Sequence, residues 1–164
     1  MTDHLADDPR ITAMGLFAEA YTGLAARFAA HFARHDLDPV EFEVLIRLLR
    51  SPGGQLRMTD LAAQTTLTTS GVTRVVDRLE RDGLVERQAC PTDRRSSYAV
   101  IARAGRNKLD QVLPEHVELI DEWLTSRLDA DQFAALLDAL RIIRDAVRPG
   151  ATAGAEPAVV PAAH

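Results

Sequence analysis

The sequence predicts a mainly α-helical protein with one small β-hairpin. Three observations lead there. Long stretches carry apolar residues at helical spacing, with proline, glycine or a capping side chain at several ends. Residues 58–83 read as a short helix, a brief turn and a longer helix with one polar face. Two β-rich stretches, 84–89 and 96–101, flank the proline-containing turn CPTDRR. With 164 residues, 46% hydrophobic and 26% charged, the chain suffices for one core and is too short for two large ones. No apolar run is long enough to span a bilayer, and the opening MTDHLADDPR is acidic and lacks a signal peptide's apolar segment, so a soluble cytoplasmic protein is expected. The lone cysteine, Cys90, excludes an intramolecular disulfide and a multi-cysteine zinc site.

Taken in order, residues 10–35 form a helix whose Met14, Phe17, Tyr21, Leu24, Phe28 and His31 alternate at spacings of three and four. That seam suits either a monomer core or a second subunit. Asp38, Pro39 and Glu41 open a second helix that runs to about Arg50, with apolar positions around most of its circumference. SPGG at 51–54 ends it. A helix from 103 to about 127 carries Leu109, Val112, Leu113, His116, Val117, Ile120, Trp123 and Leu124 on one side, with Pro114 expected to bend it. Asp129 is placed to cap a last helix ending near Arg148, and residues 149–164, rich in Ala, Pro and Gly, are expected to be disordered.

The stretch 68–83, TTSGVTRVVDRLERDG, organises the rest. Thr68 can cap it and Gly83 can stop it, while Val72, Val75, Val76 and Leu79 give it one buried stripe. The opposite face carries Thr69, Ser70, Thr73, Arg74 and Arg78. Arg pairs bidentately with guanine, and Ser or Thr reaches phosphate or base, so this face suits the base edges and phosphates of a nucleic acid. A net charge of −5 argues against such a partner only if it is evenly spread. It is not: residues 50–108 hold eleven Lys or Arg against six Asp or Glu, and the remaining residues hold eight against eighteen. The basic charge coincides with the polar-faced helix, as an electrostatic footprint on phosphate requires.

LTTSGVTRVVDRLERDGLVER followed by PTDRRSSYAVIARAG resembles the MarR family of winged helix-turn-helix transcriptional regulators, and the resemblance covers residues 10–148. Its most specific elements are VTRVVDRLERDGLV and Asp93-Arg94-Arg95, which is similar to the family's D-x-R wing element. The resemblance implies a single domain over 1–148, with a winged helix-turn-helix lobe at 38–101 and a helical dimerisation region at 10–35 and 103–148. It implies a homodimer placing two recognition helices in successive major grooves of a palindromic operator. It also implies that Arg95 enters the minor groove steadied by Asp93. An arginine at a hairpin tip is chemically suited to a narrow, strongly negative minor groove, and Arg94 is equally suited to phosphate. The sequence departs from the family where Arg57 and Ala102 replace the usual hydroxyl caps of two helices.

The expected function is therefore a homodimeric, sequence-specific repressor released by a small aromatic or anionic effector. Phe17, Tyr21, Phe42 and Trp123 are the candidate aromatic walls, and Arg27 or Arg47 the anion partner. His31 and His35, spaced i, i+4, with His116 on another helix, are the weaker candidates for a metal, and Cys90 in the wing for oxidation. No cofactor is expected. A helical protein-interaction module with a basic surface is the alternative of another class, separable by the salt dependence and sequence preference of DNA binding. No Gly-rich phosphate loop, nucleophile elbow or paired-histidine metalloprotease motif occurs, so an enzyme is not expected.

Overall fold

The computed structural model describes residues 3–90 and 96–152. These fall into two compact units, one ending at Asp38 and the other beginning at Pro39.

The first unit contains α1 (Asp3–Ala6) and α2 (Pro9–Ala33). Asp8 caps α2 by accepting from the Arg10 N–H at 2.8 Å, with Pro9 in the first turn. The Arg10 guanidinium folds back onto the same carboxylate, which lowers the Asp8 pKa and raises that of Arg10. Along the predicted seam, Met14, Phe17 and Tyr21 are exposed, Leu24 and Phe28 half-buried, and His31 and Phe32 buried. Asp36, at φ 51°, ends the helix in the left-handed region that Asp tolerates, and the Leu37 N–H closes onto Phe32 O at 3.1 Å.

The second unit is built from α3 (Pro39–Leu49), β1 (Gln55–Arg57), α4 (Met58–Gln64), α5 (Thr69–Arg81), β2 (Val85–Ala89), β3 (Ser97–Ile101), α6 (Arg103–Trp123) and α7 (Ala130–Val147). Its core draws Val44, Leu45 and Leu48 from α3, Leu61 from α4, and Val72, Val75, Val76 and Leu79 from α5. Val85, Ala99 and Ile101 of the sheet and Leu109 and Val112 of α6 complete it. Burying each of these valine, leucine and isoleucine side chains contributes roughly 1.5 to 3 kcal/mol before conformational entropy is counted.

The strands form a three-stranded antiparallel sheet in the order β1-β3-β2, so the expected two-stranded hairpin gains a third member. β1 pairs Gln55 with Val100 and Arg57 with Tyr98. Three residues are too few to show alternation, and the partner lies far along the chain, which is why the pattern of QLR did not reveal it. Helix α6 continues through Pro114 to Trp123 and is followed by a 3₁₀ turn at Thr125–Arg127, ending the α-helix short of the expected boundary. Asp129 and Gln132 form a capping box at the start of α7, at 2.8 and 3.0 Å. Past α7 the chain makes a 3₁₀ turn over Pro149–Thr152 where disorder was expected, and residues 153–164 lie outside the described residues. The Arg148 guanidinium donates to the carbonyls of Thr65 and Ala63 at the end of α4, where a cation complements the helix dipole.

Both anomalous caps are as the sequence suggests: neither Arg57 before α4 nor Ala102 before α6 makes a side-chain cap hydrogen bond. Ala102 has the extended backbone of a normal N-cap, φ −72° and ψ 165°. Ala102→Ser is therefore expected to stabilise the protein by about 0.5 to 2 kcal/mol, read as a raised midpoint in urea unfolding with unchanged slope.

Candidate nucleic-acid interface

Helix α5 begins where Thr68 Oγ1 accepts from the Gly71 N–H at 3.1 Å. It ends where Gly83, at φ 71°, lets Gly83 N reach Glu80 O and Leu84 N reach Leu79 O, closing a Schellman motif. Four buried apolar side chains turn Thr69, Ser70, Thr73 and Arg74 outward, all exposed. The hydroxyls are locally ordered: Thr73 Oγ1 donates to Thr69 O at 3.1 Å, and Thr68 and Ser70 oxygens are 3.2 Å apart. Arg74 takes part in no hydrogen bond or ion pair among the described residues and projects from the helix. Arg78 differs. It lies on the flank beside α3, and its Nε donates to Glu41 at 3.0 Å. Glu43, also on α3, accepts from the Thr66 N–H at 3.0 Å and hydroxyl at 2.8 Å, so α3 holds the turn between α4 and α5 as well as α5 itself.

The other flank of α5 faces the wing, where Arg87 of β2 pairs with Asp77 and Glu80. Sequence reading missed this pairing and Arg81, an exposed cation at the helix's C-terminal end. Helical spacing placed Asp77, Glu80 and Arg81 off the buried stripe, but showed no partner for them. The hairpin narrows toward its tip through a Cys90 N–H to Ser96 O bond of 3.0 Å, and the Cys90 side chain is buried. The wing candidates Asp93, Arg94 and Arg95 lie outside the described residues. At the sheet's opposite edge, the Arg57 Nε donates to the Tyr98 hydroxyl at 3.2 Å while the guanidinium lies 5.7 Å from the ring centroid, and that hydrogen bond raises the Arg57 pKa.

The effector and metal candidates are distributed over both units. Phe17, Tyr21 and Arg27 are exposed on α2. Within the second unit, Phe42 packs edge-on against His116 at 4.8 Å, Arg47 is half-buried on α3, and Trp123 is covered by Arg127 at 5.3 Å. His31 on the last turn of α2 and His35 in the turn that follows it meet edge to face, with ring centroids 5.0 Å apart.

A short helix, a tight turn, an outward-reading helix and an antiparallel wing define a winged helix-turn-helix protein. A family model described as MarR family matches residues 35–96. HTH-type transcriptional regulator MhqR of Bacillus subtilis is 34% identical over 110 residues, 67% of this chain and 74% of that protein. Sco3205, a MarR family transcriptional regulator from Streptomyces coelicolor solved in complex with DNA, superposes with a TM-score of 0.78 at 30% identity, covering 84% of this chain and 87% of that one. AbsC, a MarR family regulator from the same organism, gives a TM-score of 0.81 at 27% identity, covering 87% and 96%. The chain belongs to the MarR family of DNA-binding transcriptional regulators, and its role is regulatory rather than enzymatic. Among the described residues no helix is long and apolar enough to cross a membrane.

Proposed function

We propose that the protein is a homodimeric cytoplasmic repressor that reads a palindromic operator with α5 and its wing and is released by a small aromatic or anionic effector. The observation that carries the DNA-reading part is the outward face of α5, where Arg74 projects beside Thr69, Ser70 and Thr73 while α3, α4 and β2 pack against the rest of the helix. Arg74 is the base-reading cation of this assignment. Thr68, Thr69, Ser70 and Thr73 contact phosphate or base edges, and Arg78 contributes at the flank. Asp93, Arg94 and Arg95 serve the wing, with Arg95 in the minor groove.

Dimerisation is supported by apolar surface that a monomer seldom leaves bare. Ile11, Met14, Leu16, Phe17 and Tyr21 of α2 are each at least half exposed, and Ile142 and Val147 of α7 are 72% and 71% exposed. Helix α7 also carries a shallow groove of about 190 Å³ lined by Ala130, Phe133, Ala134, Leu137, Asp138 and Arg141. A second copy presenting the same surfaces would cover them by two-fold symmetry.

The test is a salt series of binding to the DNA upstream of the protein's own gene and to duplexes selected from random sequence, against a scrambled control, with sedimentation equilibrium of the free protein. A dimer that prefers one two-fold-symmetric duplex, with affinity falling steeply as salt rises, is the expected result. A monomer, or equal affinity for every duplex after selection, overturns it.

A further inference from the structure

Arg87 is the single basic residue of strand β2, and α5 grips it at four points. Its Nη1 lies 2.6 Å from Asp77 and 3.6 Å from Glu80, and its Nη2 donates to the Thr73 carbonyl at 3.3 Å. The fourth contact comes from the backbone, as the Arg87 N–H donates to Glu80 Oε1 at 3.3 Å. Strand order makes this bond intelligible. β2 is an edge strand, with β3 on one side only. The Cys90 N–H to Ser96 O bond sets the ladder's alternation, so the pair Arg87–Ala99 is one whose N–H groups turn away from the partner strand. Glu80 occupies the donor that this edge leaves open.

On α5, residues 73, 77 and 80 follow at i, i+4 and i+7 and form the side of the helix nearest β2. Asp77 and Glu80 side chains are 50% and 42% exposed, Arg87 29%. Partly exposed ion pairs of this kind add little to folding stability. Their geometry matters more: a forked cation and a backbone donor on one element meet two carboxylates and a carbonyl on the other, which restrains the orientation of the strand against the helix as well as its distance.

We infer that Arg87 is a positioning residue for DNA recognition, locking the outer edge of the wing onto the recognition helix and neutralising two carboxylates that would otherwise face phosphate. The inference rests on the DNA-reading assignment above and adds a specificity determinant to it. Arg87 need touch no nucleotide in this role.

The double variant Asp77→Asn/Glu80→Gln separates positioning from charge. It is nearly isosteric and removes two negative charges from the binding side, so electrostatics alone would tighten every duplex. Positioning has a different signature. Preference for the selected operator over scrambled DNA should fall about tenfold or more, while scrambled DNA binds as well as before or better, and the melting temperature stays within about 3 °C of wild type. Arg87→Lys keeps the charge, loses the fork and should show an intermediate loss of preference. A preference within about twofold of wild type in both variants overturns the inference while leaving the DNA reading intact. If the double variant melts much earlier, Arg87→Lys decides by the same ratio at a temperature where it is folded. Wild type without any preference after selection removes the DNA reading and this inference together.

Discussion

Arg74→Ala is expected to weaken binding to the preferred operator by about 1 to 3 kcal/mol, roughly fivefold to over a hundredfold, and to relax base preference at one position in each half-site. Arg74 projects from the exposed face of α5, and among the described residues no ion pair competes for its guanidinium. Its full bidentate capacity is therefore available to a base edge or a phosphate. Arg78 provides the internal comparison, because Glu41 already holds its Nε at 3.0 Å and any DNA contact must share the cation. Arg78→Ala should cost less in sequence discrimination and should also loosen α5 from α3. Fluorescence anisotropy on the operator and on single-position variants of it reads both effects. Arg74→Ala binding within twofold of wild type, with base preference unchanged, would remove Arg74 from the reading set.

Gly105→Ala should lower stability by about 1 to 3 kcal/mol, seen as a melting temperature reduced by roughly 3 to 12 °C in calorimetry. Gly105 sits in the first turn of α6, where an added Cβ would overlap the Leu84 carbonyl oxygen and come within 3.0 Å of Ile101 Cγ1. That carbonyl already accepts the Ala102 N–H at 3.0 Å and so is fixed from the helix side. Alanine's better helix propensity, worth up to about 1 kcal/mol, opposes the loss and does not reverse it. At Gly54 the nearest obstruction is the end of the Arg106 side chain, which can swing away, but buried Ile101 Cγ2 would lie 2.9 Å from the new Cβ, so an alanine there meets that contact as well as the positive φ of 71°. An unchanged or raised melting temperature for Gly105→Ala would show that the α6 start shifts freely.

Local chemistry made most of the secondary structure legible. Thr68 and Gly83 bracket α5 because a hydroxyl cap and a left-handed glycine are interactions within a few residues of the chain, and Asp129 marks α7 for the same reason. The valine and leucine stripe of α5 determined which face would look outward. What sequence could not show were partners chosen by tertiary packing. β1 exists because Gln55–Arg57 meets β3, the engagement of Arg78 depends on Glu41 37 residues away, and Arg87 becomes a bridge only once β2 folds beside α5. The seam of α2 was visible as a period, but only the structure divides it into an exposed N-terminal stretch and a buried end at His31 and Phe32.

Arg148 fastens the end of α7 to the last carbonyls of α4, immediately before the turn that leads into α5. In the proposed dimer this makes α7 a ruler. Successive major grooves on one side of B-DNA recur about every 34 Å. A one-turn slide of α7 against its counterpart moves matter by about 5.4 Å. Through Arg148 such a slide would displace each reading helix as well, so the register between the two copies would decide whether both fall in phase with the same duplex.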